Sequence, residues 1–362
     1  MNYAKNNPMK NSLLIAAFAA ITILSACKKP TEDATPAGQY ESGVFIVNEG
    51  PFLSGTGTIS HYNRNDKTAT NNIFQQANIF PLGNIVQSLN IFNGKGYIVV
   101  NQANKIEVVE SATFKYTGTI RGLDQPRYIV PINDTKAYVS IWGSDGMTGA
   151  IKVVNLATNS VSSTITTGRK GMERMVKKDN FVYATCKGGN GNDSVVTIIN
   201  STTDAVLANL EVGPNPDGIV KDANGNIWVL CVGKFKSDYS SLAQNGRLVK
   251  INTTSNTVET SFTFSSIYAQ PTGLTLNQDK TKLVYVYDGK VYAQDITATS
   301  LQSTVLVNRS FYGLGIDPNT NIMYGADAGN YSSNGKIVRF NIDGSKIDSF
   351  NVGVIPGNIF FK

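Results

Sequence analysis

Histidine is almost absent from this chain of 362 residues: His61 is the only one. Three cysteines complete a thin supply of metal-ligating side chains, and no His cluster or Cys-x-x-Cys spacing offers a transition-metal site. No Gly-x-Ser-x-Gly elbow is present to expose a hydrolase nucleophile. Charged residues make up 16% of the chain and net to +6, with Lys and Arg spread along its length. A nucleic-acid binder would gather them into a stripe, so that class is set aside. The one long apolar run, Leu13 to Leu24, is shorter than the ~20 residues a helix needs to cross a bilayer. No stretch beyond it keeps a helical period. On these grounds no metal, no cofactor, no catalytic residue and no enzymatic activity are expected, and His61, inside Thr58-Ile59-Ser60-His61-Tyr62, reads as structural.

What is abundant points to strands. The chain holds 33 Gly, 16 Tyr and 16 Phe beside many Thr, Val, Ile and Asn, the composition of short strands joined by tight turns. It also repeats itself. Gln125-Pro126-Arg127-Tyr128-Ile129-Val130, Ala137-Tyr138-Val139-Ser140, Gly149 to Asn155 and Thr158 to Ile165 recur in order as Pro216 to Val220, Asn226 to Leu230, Gly246 to Asn252 and Thr257-Val258. Each copy predicts four strands, A to D. Openings of the same kind start near Val86, Met172, Pro271, Phe311 and Pro356, at propeller-like spacing.

The first copy is split. Val44-Phe45-Ile46-Val47-Asn48 looks like a B strand with no A strand before it, and the run from it continues to a D strand ending near Phe74. Gly357-Asn358-Ile359-Phe360-Phe361 supplies the missing strand. A terminal strand that completes the first sheet removes an open edge and closes a ring. The predicted fold is therefore all-β, a seven-bladed β-propeller over residues 43–362, closed by a C-terminal strand that completes the first blade.

The repeat resembles the YVTN or YncE-like propeller repeat, with Tyr138-Val139 and Trp228-Val229 at the "YV" position and Asn155, Asn200 and Asn252 near the end of the third strand. Phe45-Ile46-Val47-Asn48-Glu49-Gly50, followed by Gly57 to Ser60 and Tyr62, is similar to the start of Bacteroidetes surface propeller lipoproteins. At the N-terminus, Leu24-Ser25-Ala26-Cys27 resembles a bacterial lipobox. The resemblance implies a signal peptide over 1–26, a lipid on Cys27 and a tether over 27–42. Lys28-Lys29-Pro30-Thr31-Glu32-Asp33 looks like the signal that exports such lipoproteins to the outer face of the outer membrane. The group includes BtuG-like cobalamin-capturing and siderophore-binding proteins. It implies a lipid-anchored protein that captures cobalamin or a ferric siderophore and passes it to a TonB-dependent outer-membrane transporter.

Two sets of residues are candidates for ligand contact. The B to C loops are long and unequal, and they carry Phe52, Trp142, Phe235, Tyr239 and Tyr331, with Lys187, Lys234 and Lys236 beside them. Aromatic rings next to cations suit a large, flat, polar ligand, although about half of such rings are expected to plug gaps between blades. The second set is one position per blade at the start of strand A: Gln87, Arg127, Glu173, Asp217, Thr272, Tyr312 and Gly357. Symmetry brings these to the channel mouth, where they hold either a ligand or water. Arg127, Arg169, Arg174 and Tyr312 are the members best suited to an anionic ligand. Two other functions compete: a protein or glycan scaffold on the same face, and a propeller lyase using Glu173, Arg174 and Asp217. Gly188 to Asp193 reads as a flexible loop. Cys186 and Cys231 end equivalent B strands of neighbouring blades. Sheets that face each other lie ~10 Å apart, so two free thiols are expected unless loop distortion joins them.

Overall fold

A computed structural model describes residues 38–52 and 54–362. The expected signal peptide, Cys27 and the Lys28 to Asp33 segment lie outside the described residues. Seven four-stranded antiparallel sheets make up the ring, each running A to D from the channel outward. Blade 1 takes its A strand from Pro356–Phe361 and its B, C and D strands from Val44–Asn48, Thr58–Asn63 and Thr68–Thr70. The remaining A strands are Val86–Phe92, Pro126–Pro131, Met172–Lys178, Pro216–Lys221, Thr272–Leu276 and Gly313–Ile316. The expected seven-bladed, nearly all-β propeller and its closing strand are both present.

Burial explains the sequence pattern. A B strand lies between two neighbouring blades, so both faces are covered and the run is continuously apolar: Val44–Asn48 and Ile227–Cys231 are buried at every position. An outermost strand has one wet face and alternates, as Ala205–Glu211 does. Seven apolar clusters result, one at each interface between blades. Phe45, Val47 and Ile59 meet Val86, Leu89 and Ile98 between blades 1 and 2. At the other side of blade 1, Val44, Ile46 and Tyr62 meet Tyr324, Ala326 and Ile337 of blade 7. Val44 pairs with Phe361 and Ile46 with Ile359, so hydrogen bonds and apolar packing both close the ring.

Blade 1 departs from expectation at its outer edge. Its D strand stops at Thr70, and Asn72 adopts a left-handed conformation (φ 54°) that opens a short helix, Ile73–Asn78. Ile73 and Phe74, expected at the end of a strand, are instead buried by that helix against Leu82 and Phe114. Tyr40, assigned to the tether, is buried too, with its N–H donating to the Ala112 carbonyl at 2.9 Å. His61 packs edge-on to Tyr40, its Nε2 2.8 Å from the Ser42 carbonyl, and burial lowers its pKa. Cys186 and Cys231 are buried and unpaired, and burial pushes the Cys186 thiol up to about 12.

Candidate functional site

Where most of the A strands begin, the backbone breaks the alternation of a strand. Ile85, Gln125, Gly171, Asn215 and Ile355 have positive φ and turn the chain into the channel. Bulges follow at once in blades 1 to 6, between Pro356 and Asn358, Val86 and Ser88, Pro126 and Ile129, Met172 and Met175, Pro216 and Gly218, and Thr272 and Thr275. A bulge re-aims side chains. Where it spans two residues, both can face the same space, and Arg127 with Tyr128 and Glu173 with Arg174 all line the central cavity. That cavity encloses about 940 Å³, and Gln87, Arg127, Glu173, Asp217, Thr272, Tyr312 and Gly357 all line it, one from every blade.

The cations of the site differ in how far they are already used. Arg127 donates to Glu173 through Nε and Nη2 at 2.9 to 3.2 Å. Trp142 joins them from the B to C loop of blade 3: its Nε1 donates to Glu173 at 2.7 Å, and its ring lies 4.0 Å beneath the Arg127 guanidinium. Burial would lower the pKa of Arg127, but Glu173 outweighs it and the guanidinium is held charged. Arg169 is similarly committed to Asp193. Arg174 is not. Its guanidinium lies over the Tyr128 ring at 4.4 Å, its nearest carboxylate oxygen is 3.8 Å away on Asp217, and its side chain donates no hydrogen bond to any described residue. Lys187 stands 3.4 Å from the other oxygen of Asp217. Burial would raise the pKa of Asp217, yet Lys187, Arg174 and Arg127 together hold it below the usual carboxylate range.

The seventh ring position is glycine for a reason visible in space. A Cβ on Gly357 would come 2.9 Å from Glu49 Oε1 and 3.2 Å from the Tyr312 ring. Its absence makes room for the Tyr312 hydroxyl to donate to Glu49 at 3.0 Å. Burial pushes the Glu49 carboxyl up, and Tyr312, Arg127 and Lys187 offset this only in part. Tyr331 stands edge-on to Tyr312, centroids 5.7 Å apart, and both rings are open to solvent.

Six of the candidates, Gln87, Arg127, Arg174, Asp217, Tyr312 and Tyr331, therefore line one cavity, and Trp142 braces it from behind. Four do not line it. Phe52 is 68% exposed on the blade 1 loop. Arg169 is held by Asp193. Phe235 and Tyr239 sit on a separate hairpin, Lys234–Phe235 with Leu242–Gln244, which the long blade 5 loop forms on its own. Glu49 and Tyr128 line the cavity and were not among the candidates. The doubled bulge at Arg127 and Tyr128 could not be read from residue order. Gly188 to Asp193, read as flexible, is pinned: Asn190 N–H donates to Gly146 at 2.9 Å and Gly188 N–H to Lys170 at 3.2 Å.

The chain belongs to the family described as "Domain of unknown function (DUF5074)", whose model matches residues 42–361. No curated protein matches it in sequence. Among solved structures it is similar to a putative 6-phosphogluconolactonase from Bacteroides fragilis (12% identity, 90% of this chain and 99% of that one, TM-score 0.64). A periplasmic gluconolactonase from Pseudomonas aeruginosa gives 11% identity, 88% and 99% coverage and a TM-score of 0.62. A quinonprotein alcohol dehydrogenase-like protein from Bacteroides thetaiotaomicron gives 17% identity, 89% and 78% coverage and a TM-score of 0.61. At these identities the likeness shows the fold alone. It still corrects one expectation. The exclusion of enzymatic activity does not stand, because propellers of this size and shape include proteins named as lactonases. The exclusion rested on scarce histidine and a missing serine elbow, whereas carboxyl groups with shifted acidity can do the same proton chemistry, and Glu49 is such a group.

Proposed function

We propose that this member of the DUF5074 family captures a bulky, polar ligand with an anionic or amide-bearing periphery at the mouth of its channel. The observation that carries the reading is Arg174: a guanidinium fixed by stacking on Tyr128, facing a cavity of about 940 Å³, with no hydrogen-bond acceptor among the described residues. Such a fork matches a carboxylate or phosphate, and it faces a channel of about 940 Å³ over its whole length, which gives this mouth room for a small molecule. Tyr312 and Tyr331 offer ring faces and edges beside it. The resemblance of the repeat and of the lipobox extends the proposal: cobalamin or a ferric siderophore as cargo, an anchor through Cys27 at the outer membrane, and a TonB-dependent transporter as recipient. Calorimetric titration with cobalamin and with a panel of ferric siderophores tests it. One ligand is expected to saturate a single site and to bind at least tenfold more weakly to Arg174→Gln. Heat-silent titrations across the panel would overturn the cargo assignment.

Glu49 favours a second reading, hydrolysis of a lactone or ester bound in the same place. A carboxyl with raised pKa can move a proton to or from water, while Arg174 and Lys187 would stabilise charge developing on the carbonyl oxygen. Hydrolysis of gluconolactone followed by pH-stat tests this. Glu49→Gln should abolish turnover and leave binding intact. A wild-type rate no greater than that of buffer removes this reading.

A further inference from the structure

We propose that the opposite end of the channel is a second binding site, for a multivalent oxyanion of the pyrophosphate or phosphate-ester class. The central cavity continues along the inner strands to the A to B turns, where Lys177, Lys221 and Lys280 line it from three consecutive blades, 4, 5 and 6. At the first mouth most of the cations are matched by carboxylates. Here none of the three ammonium groups has a carboxylate within ion-pairing distance among the described residues.

Four acids stand near these turns, and none forms an ion pair with the three lysines. Asp179 bonds Lys178 at 2.8 Å and is also near enough to Lys221 and Lys177 to feel their charge, but it makes an ion pair with neither. Asp222 is buried and accepts from Trp228 Nε1 at 2.9 Å and from the backbone of Asn224 and Asn226. Asp317 is buried against Arg64 at 2.7 Å. Asp279 is exposed.

The turns that carry the lysines are fixed rather than loose. Ala223 N–H donates to the Lys280 carbonyl at 3.0 Å, tying blade 5 to blade 6, and Gln278 N–H donates to Asn321 Oδ1 at 3.0 Å, tying blade 6 to blade 7. Three like charges set around the end of one channel repel one another and raise the positive potential of the space between them. A single anion with several negative oxygens relieves that repulsion. A monovalent ion does so less, so the site discriminates by charge.

The test uses the full chain in a non-ionic detergent, titrated with inorganic pyrophosphate in a calorimeter. Wild type is expected to saturate at one site, more weakly as salt rises. Lys177→Gln/Lys221→Gln/Lys280→Gln is expected to lose at least tenfold in affinity. A variant with the same change of charge elsewhere, Lys115→Gln/Lys290→Gln/Lys346→Gln, should bind as wild type does. Co-sedimentation with phosphatidylglycerol vesicles separates the two sources of the chemistry. Vesicle binding lost in the first triple variant assigns the site to a lipid headgroup, and pyrophosphate binding without vesicle binding assigns it to a free phosphate. No saturation by either probe, equal binding by both triple variants, or loss on Arg174→Gln instead of the lysine variant would each overturn the proposal.

Discussion

Replacing Glu173 by Gln keeps the side chain's shape and removes the charge on which the blade 3 to blade 4 side of the mouth is built. The carboxylate is 1% exposed, and it accepts from Arg127 Nε and Nη2 and from Trp142 Nε1. An amide cannot satisfy all three, because one of its two heavy atoms is itself a donor and must point at another donor. Arg127, 11% exposed, would be left as a buried cation without its counter-charge. Breaking a buried pair from one side typically costs about 3–5 kcal/mol, more than the pair contributes as a whole. Glu173→Gln is therefore expected to lose about 3–5 kcal/mol in urea unfolding. The Arg127→Met variant and the double variant complete a cycle. Once Arg127 is gone the charge of Glu173 has no partner to lose, so the two costs should overlap by about 2 kcal/mol or more. Trp142 emission should shift with the loss of its hydrogen bond, while Trp228, buried in blade 5, supplies an unchanged background. A cost below about 1 kcal/mol for Glu173→Gln, or single costs that add within about 0.5 kcal/mol, would refute the claim that these groups act as one unit.

Arg174→Gln should change stability by less than about 1 kcal/mol, since its nearest carboxylate oxygen is 3.8 Å away and the side chain is 38% exposed; a larger loss in urea unfolding would mean that it is structural. Glu49 makes stability depend on pH with a definite sign. Its pKa is raised in the folded state from 4.5, so the folded protein binds the extra proton, and that stabilisation is complete below the unfolded value and lost as pH rises through the folded one. Wild type should thus lose stability relative to Glu49→Gln as pH is raised above 4.5, and parallel curves would contradict the assignment. Gly313→Ala should hinder closure, because a Cβ there would lie 1.9 Å from the Gly357 carbonyl oxygen across the blade 7 to blade 1 seam; unchanged unfolding would refute it. Cys186 and Cys231 should ignore a thiol reagent in the native protein and react once urea exposes them.

The ring of seven was legible because a propeller repeats one register, so a position found in one blade is found in all. Gln87, Arg127, Glu173, Asp217, Thr272, Tyr312 and Gly357 follow from aligning copies of one unit, and all of them line the cavity. What each does there was not legible, because its partners come from neighbouring blades and from loops, and residue order does not show which pairs form. Arg127 is joined to a carboxylate 46 residues away, in the next blade, and Arg169 to one 24 residues away. The sequence alone ranks Arg127, Arg169 and Arg174 together as anion binders. Only their distances to Glu173, Asp193 and Asp217 separate two engaged guanidiniums from one that still has donors to offer. The same limit hid Glu49, which reads as the first residue of a loop until Gly357, more than 300 positions later, is seen to leave it room. It also placed Phe235 and Tyr239 in the site, since nothing in their order shows that their loop forms its own hairpin away from the cavity. The repeat thus accounts for where side chains converge, and the departures from it decide which of them are left to meet a ligand. Arg174 shows both halves of this: a two-residue bulge of the kind also found at Arg127 and Tyr128 brings it to the cavity, and the pairing of Glu173 with Arg127 leaves it only Asp217, 3.8 Å away.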